Sequence, residues 1–301
     1  MDGITRLVYG IYPRSDELRV LISRTERGKA VTGDLRDRIS RETEDLLSTF
    51  RGSSDIYSEP CVNWHDFFRP VAGFLSGFSL GKLQRYLQTN TFYREPVIES
   101  DLSLRDRFTE IDPPENLPAP LFGNDKEAWL TLPSPHSIFH ASKNPSGIDE
   151  EKFSDSIFRA YAEIATELGR KGIVLRELFP YSDRAPDFLG ALNGKFKTIL
   201  VAHPESRSLP ATGRNHKFHS IVASNQLLAG AADSYEVPGI YALDGYNTKL
   251  EDAENISRKS EIAREILSVP RVVVTSNQHF DFLPRVIADR KLAVLKSLGA
   301  S

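Results

Sequence analysis

The sequence predicts an α/β protein: one closed barrel of eight parallel strands wrapped by helices, forming a single domain over residues 1–301. Three observations predict it. Short β-branched, apolar runs alternate with longer segments of 3.6-residue period. The strand-like runs are apolar throughout rather than at every second position, as strands covered on both faces are. No glycine-rich phosphate turn follows the first strand, which argues against a doubly wound open sheet. Length alone would suggest two domains, but 301 residues suit one (β/α)8, or TIM, barrel.

The elements follow in order. Arg6-Leu-Val-Tyr-Gly-Ile11 reads as the first strand, ending at Tyr12-Pro-Arg14. Residues 34–50 read as a charged amphipathic helix with Leu35, Ile39, Leu46 and Leu47 on one stripe. Asp55-Ile-Tyr57 is a short second strand, and Ala128-Trp-Leu-Thr-Leu132 a buried third, stopped by Pro133 and Pro135. The clearest helix runs from about Asp149 to Lys171. There Phe153, Ile157, Tyr161, Ile164 and Leu168 recur at spacings of three and four, with Gly172 as its stop. Ile173-Val-Leu175 and Thr198-Ile-Leu-Val-Ala202 are the fourth and fifth strands. Residues 232–236 and 240–243 are the weaker candidates for the sixth and seventh. Arg271-Val-Val-Val-Thr275 is the eighth, and residues 284–298 a final helix. Residues 100–125, with four prolines, read as an irregular excursion before the third strand.

Composition bounds the function. A net charge of −3 provides no basic field, so nucleic-acid binding has no support. No apolar run reaches the roughly 18 residues of a membrane span, and the opening residues lack a signal-peptide pattern. A soluble cytoplasmic protein is expected. The single cysteine, Cys61, excludes an internal disulfide and any multi-cysteine zinc site, and nothing beside it in sequence would activate its thiol.

In a barrel of this kind the site gathers residues that follow the strands. Four segments there are similar, in order, to one family. They are Val8-Tyr-Gly-Ile-Tyr-Pro-Arg14; Trp64-His-Asp-Phe-Phe-Arg-Pro70 together with Asn90-Thr-Phe-Tyr-Arg-Glu-Pro96; Thr131-Leu-Pro-Ser-Pro135; and Asp281-Phe-Leu-Pro-Arg285 ahead of Ala288-Asp-Arg-Lys291. Together they resemble the cobalamin-independent methionine synthase family. The likeness covers nearly the whole chain, as one short archaeal member or as the catalytic half of the long enzymes.

The resemblance implies an S-methyltransferase of the 5-methyltetrahydropteroyltriglutamate–homocysteine type. A methyl group would pass from a folate, or from a methylcobalamin protein, to homocysteine or a related thiol. Zinc, or another divalent metal, would bind that thiol and lower its pKa. The family's ligands map onto this chain in part. His203 stands at the histidine of its His-x-Cys, with Glu205 at the cysteine; Glu236 is placed at its glutamate. Gln278 falls at the second cysteine, with His279 beside it. The metal set implied is therefore His203, Glu205, Glu236 and His279. Nitrogen and oxygen ligands alone make a harder site than thiolates do.

The acidic pair that ends the family's fourth strand appears here as Arg176-Glu177. The resemblance gives Glu177 and His203 catalytic roles, Glu177 holding the substrate ammonium. Gly10, Tyr12, Arg14 and Glu59 join the substrate-binding set, with Arg14 and Arg94 suited to carboxylates. Trp64, Ser134 and Arg176 complete it, although an indole beside Phe67 and Phe68 is more often core. A second reading follows from the missing cysteines: a non-catalytic accessory barrel that binds the methyl donor beside a zinc-bearing paralogue. A hydrolase or lyase on the same barrel ranks third. The pair His216 and His219 has helical metal-ligand spacing, but a solvated polar turn is the commoner meaning.

Overall fold

In the computed structural model, residues 3–85, 92–106, 117–182, 196–210 and 217–298 are described. Chain order is β1 (Ile4–Val8), α1 (Asp16–Glu26), α2 (Thr32–Arg51), β2 (Ile56–Tyr57), α3 (Arg69–Phe74), β3 (Leu75–Arg85) and β4 (Phe92–Leu104). Then come β5 (Leu130–Pro133), α4 (Pro135–Ala141), α5 (Glu150–Glu167), β6 (Gly172–Arg176), β7 (Lys197–Val201) and β8 (Phe218–Val222). The chain continues through α6 (Asn225–Gly230), β9 (Tyr235–Leu243), α7 (Ala253–Leu267), β10 (Val272–Ser276) and α8 (Arg285–Ser297).

Eight strands form one parallel sheet in the order β2-β1-β10-β9-β8-β7-β6-β5. The ring closes where Ser58, just past β2, bridges Trp129, just before β5. There Trp129 N–H donates to the Tyr57 carbonyl at 2.9 Å and Glu59 N–H to the Trp129 carbonyl at 3.4 Å. The expected barrel is the observed one.

Two separate apolar clusters show how it is filled. Leu7, Tyr9, Trp129, Val174, Ile199, Val201, Val222 and Val273 pack together inside the ring. A larger cluster joins the outer strand faces to the helices. The inner one leaves no pore, so chemistry is confined to the ends of the strands.

The helix at 149–171 forms as its stripe requires, over Glu150–Glu167. The Asp149 carboxylate accepts from Lys152 N–H at 2.8 Å, satisfying one of the first-turn donors. Phe153, Ile157, Tyr161 and Ile164 are fully buried, each contributing about 1.5–3 kcal/mol relative to exposure. Its stop differs from expectation. The left-handed residue is Gly169, at φ 63°, while Gly172 opens β6. A Cβ at Gly172 would collide with the Trp129 ring, so that glycine serves packing inside the barrel.

The sixth and seventh strands also differ. β8 is the sixth, and the two segments expected separately are mainly one strand, β9, after a 3-10 turn at Ala232–Ser234. Pro238 removes one donor without ending the strand, because Gly239 beside it pairs with Val222 on one side and Val273 on the other. The excursion begins later than expected: residues 100–104 belong to β4, which pairs antiparallel with β3. This ribbon carries few buried residues and so left no apolar run to read. It docks against the barrel through Ile98 N–H to the Lys143 carbonyl and Lys143 N–H to the Pro96 carbonyl, both at 2.9 Å. Among the described residues no helix is long and apolar enough to cross a membrane.

Candidate functional site

Alternation along β6 turns Val174 into the barrel and carries Arg176 inward after it, at the mouth. Arg176 is fully buried. Its Nε and Nη2 donate to Gln278 Oε1 at 3.0 and 2.6 Å, and Nη1 to the carbonyls of Ala202 at 2.8 Å and Val201 at 3.2 Å. A guanidinium stays charged in protein surroundings, so a fixed positive charge occupies the centre of the mouth.

Two histidines feel that charge. Burial, and then Arg176, push His203 down to about 4, and the same causes hold His279 far below the usual imidazole range. Both rings are neutral near pH 7. Tyr9 and Tyr241 flank the charge with their hydroxyls donating to the Ser276 carbonyl at 3.3 Å and the Ala202 carbonyl at 2.8 Å. Burial raises Tyr9 to about 12.

Glu177 points the other way, beneath α4. It is fully buried and accepts from Ser134 Oγ at 2.6 Å, from Ser137 Oγ and from the Tyr181 hydroxyl. Burial raises its pKa; His136 and the three hydroxyls act in the opposite direction. Ser134 also caps α4 by accepting from Ser137 N–H at 3.0 Å. Ser137 and Tyr181 were not foreseen, though they stand three residues after Ser134 and four after Glu177.

The residues expected to hold a metal are not gathered together. Glu236 is the second residue of β9, at the opposite end of the barrel from His203, and is exposed there with its Oε2 2.9 Å from His219 Nδ1. The histidine of the expected polar turn thus lies in β8, while His216 lies outside the described residues. Glu205 is exposed, and its N–H donates to His203 Nδ1 at 3.2 Å. That bond requires the lone pair on Nδ1 and the proton on Nε2, the tautomer that offers no Nε2 lone pair to a metal. His279 Nε2 is enclosed with no hydrogen-bond partner. A cation at these residues would face the Arg176 charge with no thiolate to offset it. The set does not fit the family's zinc.

Among the expected substrate-binding residues, several serve the scaffold. The Trp64 indole is buried, its Nε1 donating to the Leu121 carbonyl at 3.1 Å. Tyr12 donates to Asp289 Oδ1 at 2.9 Å and packs edge-on against Phe50 and Phe280. Glu59 turns outward to an ion pair with Arg170 and accepts from Gly123 N–H at 2.9 Å; burial raises its pKa and Arg170 opposes the rise. Arg14 grips the Val62 and Trp64 carbonyls, both at 2.6 Å. Arg94 donates to the Gly81 carbonyl at 3.1 Å. Gly10, at φ 80°, touches the mouth directly: its N–H donates to Ser58 Oγ at 2.9 Å, and a Cβ there would stand 2.5 Å from His279 Cδ2.

Above Gln278 and His279 lies a cleft walled by Phe67, Phe68, Phe92, Tyr93 and Phe282. Asp66 ties its two walls together. It accepts from Phe68 N–H at 2.8 Å, from Arg69 Nε at 2.6 Å and, across to β4, from Arg94 N–H at 3.3 Å. His65 lines the same cleft, lowered to about 4 by burial and then by Arg14 and Arg69. Asp281 faces it too, with Oδ1 enclosed and without a hydrogen-bond partner. Burial lifts this carboxyl to about 7 against its backbone hydrogen bonds and the Arg14 and Arg176 charges. Its place in the loop after the eighth strand was the signal that could have marked it as a site residue.

No protein-family model matches this chain, and no curated protein matches it. Solved structures do. A B12-independent methionine synthase from Shewanella sp. W3-18-1, in complex with selenomethionine, superposes with a TM-score of 0.67 at 12% identity, over 99% of this chain and 97% of that one. A protein described as a vitamin-B12-independent methionine synthase from Listeria monocytogenes gives 0.62 at 13% identity, over 97% and 95%. At such identities the likeness establishes the fold.

Proposed function

We propose that this chain is a methionine-synthase-like barrel of methyl transfer, built to receive the methyl carrier rather than to activate a thiol through zinc at its mouth. The likeness over nearly the whole of both chains supports the first part. One observation carries the second: Arg176, buried and bonded to Gln278, sets a positive charge that both His203 and His279 feel and that would repel a cation held by them.

The lining of the cleft suits a folate carrier chemically, although its free volume of about 40 Å³ requires the aromatic walls to part before a pterin enters. A pterin is flat and heteroaromatic, and the Phe67, Phe68, Phe92, Tyr93 and Phe282 walls offer faces and edges for it. The edge of a pterin presents adjacent N–H donors, which Asp281 Oδ1 can accept. The tail of a folate is anionic, in keeping with the positive field at the mouth. Thiol activation would then fall to a zinc-bearing paralogue.

Calorimetry of the purified chain with methyltetrahydrofolate, methylcobalamin and homocysteine tests this reading. We expect the folate to bind and homocysteine not to bind. The other reading is thiol methylation by this chain alone, and it draws on the selenomethionine held by the Shewanella enzyme. Turnover of homocysteine to methionine by the isolated chain would establish it and overturn ours.

A further inference from the structure

Away from the barrel axis, α4 carries His136 and His140 one helical turn apart, on the same face. Their ring centroids are 4.1 Å apart. Across from them Glu150, the first residue of α5, points its Oε1 at both: 2.7 Å from His136 Nδ1 and 3.6 Å from His140 Nε2. The three ligand atoms lie within 4.8 Å of one another. Two ligands held tetrahedrally at metal–ligand distances of about 2.1 Å are roughly 3.4 Å apart, so this triangle needs only small adjustment to close on one ion.

The surroundings favour a built site over a passing contact. The His136 ring is buried and tilted against Tyr181 at 4.7 Å, and the Tyr181 hydroxyl is held in turn by Glu177. One ligand ring is thereby packed from behind against an aromatic ring that a hydrogen bond to Glu177 holds in place. The His140 side chain is 46% exposed, which leaves a route in from solvent.

We propose that His136, His140 and Glu150 form a binding site for a divalent transition metal of the zinc class on the rim of the barrel. Two imidazoles and one carboxylate match zinc, cobalt or nickel better than calcium or magnesium, which take oxygen ligands. Three protein ligands leave one coordination position for water or an incoming group. Its residues are separate from the set aligned to the family's zinc, so it stands apart from the carrier reading above.

The test uses the full chain, stripped with chelator and titrated with zinc by calorimetry and with cobalt by visible absorption. We expect saturable binding of one ion per chain. His140→Ala should leave the far-ultraviolet circular dichroism and melting of the apo protein unchanged. It should weaken zinc binding by more than the roughly 10–100-fold that loss of a supporting group alone costs. Glu150→Gln should weaken it comparably, and His203→Ala should not. Absence of saturable binding by the wild-type chain overturns the site. So does wild-type affinity in both His140→Ala and Glu150→Gln, or loss of the ion in His203→Ala with retention in those two.

Discussion

Arg176 and Gln278, 102 positions apart in sequence, meet at the barrel mouth, where two guanidinium nitrogens share one amide oxygen at 3.0 and 2.6 Å. The bond ties the fourth strand of the ring to the loop after the eighth and fixes the charge that dominates the site.

Removing that oxygen leaves a buried guanidinium under-satisfied. Gln278→Ala should lower stability by about 1–3 kcal/mol, read as a shifted denaturation midpoint at unchanged slope. Arg176→Met should let His203 titrate above its present value of about 4, although burial still keeps it below an ordinary imidazole. Proton NMR titration of the ring reads this. A His203 midpoint that stays put in the variant would mean that the guanidinium does not set it.

His65 gives a pH dependence of known sign. Its folded pKa is depressed to about 4, chiefly by burial, so in the folded state it resists a proton that the unfolded chain accepts near 6.5. Its contribution is complete above about pH 6.5 and is lost as pH falls towards 4. Subtracting the stability curve of His65→Gln from that of the wild type should isolate a slope confined to that interval. Parallel curves across it would refute the assignment.

Phe92 is 52% exposed at the edge of the aromatic cleft, so its truncation tests binding without much cost to folding. Phe92→Ala should weaken methyltetrahydrofolate binding by about 1.4 kcal/mol, or roughly tenfold in Kd, with little change in melting temperature. Unaltered affinity would take the carrier out of this cleft.

Gly10→Ala forces a methyl to within 2.5 Å of His279 Cδ2 at a backbone angle of φ 80°. Both effects destabilise, together by about 2 kcal/mol or more. The double variant Gly10→Ala/His279→Ala should recover the contact part and retain the backbone part, a coupling that a double-mutant cycle measures.

Much of this fold was legible because its signals are local. The stripe through Phe153, Ile157, Tyr161 and Ile164 needs only its own period to declare a helix, and the apolar runs of β5, β6, β7 and β10 needed only their neighbours. β8 was hidden because His219 and Ser220 interrupt its apolar pattern. The site was legible in outline only. Glu177, His203 and His279 do reach the mouth region, since each follows a strand. Glu236 does not, because Tyr235 begins its strand where the resemblance had one ending. Whether Glu59 faces the mouth or Arg170 is decided by a partner 111 positions away, which no spacing reveals.

The ring of eight strands closes by its own hydrogen bonds, which join Trp129 to Tyr57 and Glu59, while the β3–β4 ribbon enters as an insertion and brings Phe92 and Tyr93 to the cleft. On the carrier reading proposed above, rigidity and ligand preference are assigned to different stretches of polypeptide. Exchanging the ribbon for another of similar docking edge would retune what the protein accepts while leaving its scaffold intact, a route by which one ancestral barrel could diversify without first losing its foldedness.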